Sequence, residues 1–449
     1  MANTDKTSPS SPMRPIALVG MLLLGGAAIW GLRARIKAPP PPLTTPTNAT
    51  TNSPAKPTPN LPTQWVNDPM RTLSGGVPPP ANIGPLRQQL NPSIALRPRF
   101  LQSPNDISLR IQYAVSLDNE GNASEAEDVL REALQKGQKK PEVYHALGML
   151  YLKNNLYYGA VEEFLAEIKL APKSANAHLN LAQAYTYLNQ SDSATKAFEK
   201  TKELDPTIPD TYLGLALLNN TSERYQFAEQ YLLEYIKRTP TPGPGYALLC
   251  RVYINMRLND KAIEAGKKAS EAMPTDPGCW YNLGQAYSFH PSGKFDAEAA
   301  KAFEQGIQLN PNWGGLHFEL GRVYERLNRR EEAVARYRDA VRLIPSNGKS
   351  RYQLGRLLMQ MGQAAEGQKE VEKSQTLIRL NQRETQLIAK IAAAPKEAKL
   401  VLELGEVYRD QGEYQKALNT LGFLVKMAPN HPKAQETLEQ VKRLAGAGR

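Results

Sequence analysis

Between residues 107 and 431 the apolar residues recur at spacings of three and four, the pattern of helices that each bury one face. The buried faces come in pairs. In the first helix of a pair an aromatic residue is followed three positions on by Leu, then a small residue, then Tyr. Tyr144, Leu147, Gly148 and Tyr151 show this, as do Trp280, Leu283, Gly284 and Tyr287. In the second helix Ala is followed four positions on by an aromatic: Ala160 and Phe164, Ala194 and Phe198, Ala333 and Tyr337. Ala126, Ala160, Ala194, Ala228 and Ala262 stand at one fixed interval of 34 residues, and Pro172, Pro206, Pro240 and Pro274 at the same interval. Tyr151, Tyr185, Tyr253 and Tyr287 keep that phase, with Asn219 in the missing place. One frame contains all three series, so the repeating unit is a helix pair that proline closes.

The frame predicts nine units: 107–140, 141–174, 175–208, 209–242, 243–276, 277–313, 314–347, 348–381 and 398–431. The sixth carries three additional residues around His290 to Phe295, which lengthens the loop between its helices. The first unit lacks the aromatics and the closing proline. The eighth is degenerate, with Leu358 in the Tyr place and Gly367 in the Ala place. Residues 368–394 contain neither Pro nor Gly, which predicts that the second helix of the eighth unit runs on through Leu377, Leu380, Leu387 and Ile391 to Pro395. The domain organisation expected is a lead-in over 81–106, eight units over 107–381, a helical extension and connector over 382–397, the ninth unit, and a capping helix and tail over 432–449. A single pair cannot bury its own apolar face, so neighbouring pairs must stack.

This spacing resembles the tetratricopeptide repeat, whose signature joins W-x2-L-G-x2-Y to A-x3-F and a closing Pro. The resemblance covers about three quarters of the chain. It implies an all-α, right-handed superhelical solenoid of about nine helix pairs with a C-terminal capping helix, and a concave groove lined by the first helices. In that family the second, fifth, sixth, ninth and twelfth or thirteenth places of a unit face the groove. The sixth places here include Asn180, Asn282, Glu319 and Gln353. The ninth include Gln183, Arg251, Gln285, Arg322, Arg356 and Glu406. Asn180 and Asn282 stand where some members hold an extended peptide backbone through bidentate amide bonds, although Ala146, Gly214 and Leu248 interrupt the series. Arg322, Arg326, Lys349 and Arg356 form a basic set in the seventh and eighth units, suited to carboxylates, with Glu319 and Glu325 as local partners. The expected partner-binding residues are therefore Asn180, Gln183, Asn282, Gln285, Arg322, Arg326, Lys349 and Arg356. Leu213, Leu217, Tyr281 and Phe318 offer apolar contacts.

Ahead of the repeats, Ile16 to Leu32 is an uncharged apolar run with Arg14 before it and Arg33, Arg35 and Lys37 after it. At ~1.5 Å per residue it reaches about 25 Å, which predicts a single-pass anchor over 16–32 behind a tail over 1–15. A signal peptide cleaved near Gly26-Ala27-Ala28 is the rival reading. Residues 33–80 are rich in Pro and Thr and predict a disordered linker. Such a spacer suits a repeat domain held on the extracytoplasmic face of a membrane, the placement expected here.

Composition narrows the chemistry. The chain has 449 residues, two cysteines, five histidines and a formal net charge of +11. Cys250 and Cys279 exclude a disulfide framework and a four-cysteine zinc site. His145, His178, His290, His317 and His431 are scattered, and His178 and His317 take the aromatic place of a first helix. Gly348-Lys349-Ser350 lacks the upstream glycine of a phosphate loop. No cofactor, metal site or catalytic constellation is expected. The positive charge suits a protein or peptide partner of acidic character, and it is spread too thinly for nucleic acid. The function expected is a membrane-tethered, non-enzymatic scaffold that holds an extended peptide or partner protein in its groove. The alternatives are a subunit of an envelope or secretion assembly, or the regulatory arm of an enzyme.

Overall fold

The computed structural model describes residues 92–394 and 397–447. These residues form twenty helices, and no strand occurs among them. A lead helix, α1 (Pro92–Gln102), precedes the pairs α2 (Ile107–Asn119) with α3 (Ala123–Gln135) and α4 (Pro141–Lys153) with α5 (Tyr157–Leu170). The pairs α6 (Ala175–Tyr187) with α7 (Ser191–Leu204) and α8 (Pro209–Thr221) with α9 (Tyr225–Arg238) follow. Next come α10 (Gly243–Asn255) with α11 (Asn259–Ala272), α12 (Pro277–Ser288) with α13 (Asp296–Leu309), and α14 (Gly314–Arg326) with α15 (Arg330–Leu343). The chain continues as α16 (Gly348–Gln360) with α17 (Ala364–Ala393), α18 (Ala398–Gln411) with α19 (Tyr414–Met427), and a terminal helix α20 (Ala434–Ala447). The fold is all-α, built of consecutive helix pairs. Contacts divide it into two compact units, residues 92–328 and residues 329–447.

Local chemistry starts and stops these helices. The side chains of Asp106, Ser174, Asp276 and Asn347 accept backbone N–H bonds at the first turns of α2, α6, α12 and α16. Pro141, Pro209 and Pro277 occupy first-turn positions of α4, α8 and α12, where no N–H is needed. The short connection inside a pair turns through a left-handed residue at one phase of the frame. Gly121, Asn155, Asn189, Glu223, Arg257, Asn328 and Gly362 all hold φ between 54° and 86° there. In the sixth pair the connection lengthens to residues 289–295, with Gly293 at φ 64°.

The core follows the frame. Ala126, Ala160, Ala194, Ala228 and Ala262 are fully buried, as are Phe164, Phe198, Phe303 and Tyr337. Small residues let the two backbones of a pair approach. A Cβ added to Gly148 would stand 2.5 Å from Phe164, and one on Gly284 would stand 2.5 Å from Phe303. The fourth place of the first helix has a second task besides packing. His178, Tyr212, Trp280, His317 and Arg351 each reach back to the carbonyl of the proline six residues earlier, at 2.8–3.2 Å. These bonds satisfy a carbonyl at the turn between units and tie each first helix to the end of the preceding pair.

Within 92–328, each first helix from α2 to α12 also touches the first helix of the next pair, whereas successive second helices do not pack on each other to that extent. The first helices thus line one shared face of this unit. Within 329–447, Leu387 and Ile391 of α17 pack with Val401 and Leu404 of α18, Leu421 and Leu424 of α19, and Val441 of α20.

The membrane placement expected from the sequence is corrected. No helix among the described residues is long and apolar enough to cross a membrane. The physical reason is length and charge. Paired helices of 13 or 14 residues reach ~20 Å, short of the ~30 Å hydrocarbon core. The 30-residue α17 is long enough but carries Lys369, Glu370, Lys373, Arg379, Arg383 and Lys390. The tail 1–15, the segment 16–32, the linker 33–80 and the start of the lead-in lie outside the described residues, and no described helix supports the single-pass or extracytoplasmic placement.

Candidate partner-binding groove

The first helices of 92–328 carry Asn180, Gln183, Asn282, Gln285, Arg322 and Arg326, whereas Lys349 and Arg356 belong to the other unit. Their local situations differ. Asn180 and Gln183 project from consecutive turns of α6 and are each only 9% exposed. Neither amide has a hydrogen-bond partner among the described residues. A primary amide offers two donors and an acceptor, so each has bonding capacity that no protein group uses and that faces solvent.

Further along, Asn282 of α12 donates from Nδ2 to the Ala247 carbonyl of α10 at 3.4 Å, and its main-chain carbonyl accepts from Cys250 Sγ at 3.5 Å. Gln285 donates from Nε2 to the Tyr281 hydroxyl at 2.9 Å. The Tyr281 ring stacks on Trp313 with 4.9 Å between centroids, and burial pushes its hydroxyl pKa up to about 12. These two amides are thus held in place by their neighbours, unlike the pair on α6.

The basic set is mostly answered from within. Arg322 Nη1 lies 3.0 Å from Glu319 Oε2. Glu319 is 8% exposed, and burial raises its pKa despite that arginine. Arg326 embraces Asp296 at the start of α13 with bonds of 2.7–3.0 Å from Nε and Nη2, and donates to Ser288 Oγ at 2.7 Å. Its charge therefore ties the seventh first helix to the sixth pair. In 329–447, Arg356 Nε donates to Gln353 Oε1 at 3.0 Å. Lys349 has an exposed side chain, and its backbone N–H, with that of Ser350, is capped by Asn347 Oδ1. That cap accounts for the Gly-Lys-Ser segment as an ordinary helix start.

Of the apolar candidates, Leu213 and Leu217 are 4% and 6% exposed and form floor more than contact surface. Sequence reasoning did not single out Val115 and Met149, the ninth places of the first two pairs, which are 50% and 41% exposed. The available signal was their phase, since they fall in the same column as Gln183. Arg251, also in that column, is half-buried and has no ion-pair or hydrogen-bond partner among the described residues. Burial pulls its pKa below the ordinary arginine value, opposed by the Cys250 thiol, and no carboxylate acts on it.

The remaining candidate chemistry is structural. His178 and His317 use Nε2 on proline carbonyls, which requires the proton on that nitrogen. Cys250 and Cys279 are buried free thiols, and burial pushes the Cys250 pKa up to about 12. Among the described residues no group of three or more His, Cys, Asp or Glu is placed to hold a metal ion.

Family models described as tetratricopeptide repeat match residues 175–208 and 292–348, the first of them coinciding with the third 34-residue frame. The chain carries tetratricopeptide repeats. Its known relatives are distant. It is similar to the human protein O-mannosyl-transferase TMTC3, 26% identical over 195 residues that make up 40% of this chain and 21% of that protein. It is similar to the human superkiller complex protein 3, 24% identical over 225 residues, which are 47% of this chain and 14% of that protein. The chain thus spans about a fifth or less of the length of either relative. Among solved structures it is similar to the APC/C hetero-tetramer Cut9-Hcn1, with a TM-score of 0.48 and 19% identity over 60% of this chain and 53% of that one.

Proposed function

We propose that this protein is a non-enzymatic scaffold that holds an extended peptide, or an extended segment of a partner protein, along the face lined by the first helices of residues 92–328. The observation that carries the reading is the pair Asn180 and Gln183. Both residues are nine-tenths buried, neither amide has an intramolecular partner among the described residues, and their polar atoms remain open to solvent, so a bound chain can take up hydrogen bonds worth about 0.5–1.5 kcal/mol each net. A peptide main chain offers the matching N–H and C=O in alternation, and an extended strand fits a long narrow face. Partner assembly is named for relatives of this repeat type, such as the superkiller complex protein, which agrees with this role.

The test is a binding measurement on the full chain against peptides selected from a displayed random library. Replacing Asn180 and Gln183 together by Ala should weaken the selected peptides at least tenfold, with little dependence on salt, because neutral amides carry no net charge. Helical content should be unchanged. Equal affinity for wild type and the double variant would contradict the reading.

A further inference from the structure

The ninth places of successive first helices form one column within 92–328: Val115, Met149, Gln183, Leu217, Arg251, Gln285 and Arg322. Its chemistry changes along its length. Val115 and Met149 are exposed apolar side chains, Gln183 is a nearly buried amide, and Leu217 is buried floor. Arg251 then brings the full positive charge of a guanidinium without a counterion among the described residues. The neighbouring cations differ in this respect. Arg322 is neutralised by Glu319 at 3.0 Å and Arg326 by Asp296 at 2.7 Å. Two members of the basic cluster read from the sequence, Arg322 and Arg326, are thus paired, whereas Arg251, two pairs before Arg322, has no carboxylate beside it.

We infer that the groove selects an extended segment that seats an Asp or Glu side chain on Arg251 and places apolar side chains on Met149 and Val115. The inference rests on the groove reading above and adds the chemistry of its occupant. A half-buried guanidinium loses hydration without gaining a partner, and a planar carboxylate returns two charge-assisted bonds in the fork geometry that arginine presents. A side-chain carboxylate is favoured over a chain terminus because the column continues past Arg251 to Gln285, beside the Tyr281 and Trp313 stack. A peptide ending at Arg251 would leave that stretch uncovered.

The geometry also sets a spacing. Adjacent helices lie ~8–10 Å apart, so the three steps from Met149 to Arg251 cover about 25–30 Å. An extended chain advances ~3.3 Å per residue, which places the apolar contact about eight or nine residues from the carboxylate. Val115 adds one further step, about three residues.

The experiment uses the full chain and a library of 16-residue peptides with amidated C-termini, so that no terminal carboxylate is present. Wild type should enrich peptides with one Asp or Glu and, about eight or nine residues away, Leu, Ile, Met or Phe. Replacing Glu by Gln in an enriched peptide should weaken its binding to wild type tenfold or more. Against the Arg251→Gln variant the Glu and Gln peptides should bind alike, whereas Arg322→Gln should preserve the preference. The proposal is overturned if wild type enriches no acidic residue, or if Arg251→Gln retains the Glu preference. In that event, weakened binding by the Asn180 and Gln183 double variant leaves the groove reading standing, and unaltered binding by it removes both. Circular dichroism of Arg251→Gln guards against misfolding, and Arg251→Lys, which retains charge without the fork, should recover part of the discrimination.

Discussion

Glu223 and Arg257 hold φ angles of 60° and 58° at the turn where equivalent pairs use Gly121, Asn155, Asn189, Asn328 or Gly362. Left-handed backbone costs a residue with a Cβ roughly 1–2 kcal/mol, less for Asn, whose side chain bonds locally. Arg257 is exposed, so Arg257→Asn should raise stability by up to about 1 kcal/mol in urea unfolding. The Gly and Asn members of this series recur at the repeat interval, at a phase that the Ala, Pro and Tyr series of the sequence did not include. Glu223 and Arg257 hid it, because backbone strain leaves no composition signal where stacking enforces the turn. A second residue-scale effect concerns Glu163, 7% exposed, which accepts from Arg131 Nη2 at 3.3 Å. Burial raises its pKa, and Arg131 opposes this without cancelling it. The folded state therefore binds this proton more tightly than the unfolded chain, and stability is lost as pH rises from the ordinary carboxylate value through the raised one. Glu163→Gln should unfold at higher urea than wild type at pH 7, and the gap should close below about pH 4.

The helix pair was the most legible level, because its signals are local. Spacings of three and four place Leu147, Gly148 and Tyr151 on one face, and the alanine series marks where a second helix must come close. Ala194 is fully buried, so Ala194→Leu should overpack the third pair and cost roughly 1–3 kcal/mol. Lys261→Ala should cost little, since that side chain is 58% exposed and pairs loosely with Glu229 at 3.6 Å. Thermal melts of both variants check the phase of the frame, and equal losses would mean the frame is misplaced. Groove chemistry was less legible, because partners that consume a side chain come from far along the chain. Arg322 and Glu319 are three residues apart and could be paired by eye. Arg326 and Asp296 are thirty residues apart, and only the fold brings them together. The same limit hid the task of the fourth place, where Trp280 and its equivalents bond a proline carbonyl across the turn between units.

At the scale of the molecule, the sequence frame runs through 314–347 without interruption, whereas contacts separate 92–328 from 329–447 inside that seventh frame. Periodicity reports which residues share a helix face, and it carries no term for which helices gather into one compact unit. The partner-holding face argued for here lies wholly within 92–328. Its most direct test is site-specific photocrosslinking of a selected peptide to the full chain. A photoreactive residue is placed at Met149 or Thr186 on the first helices, or at Lys196 or Lys267 on the exposed faces of second helices. The account predicts crosslinks from Met149 and Thr186 and none from Lys196 and Lys267. Crosslinks confined to the second-helix positions would contradict it.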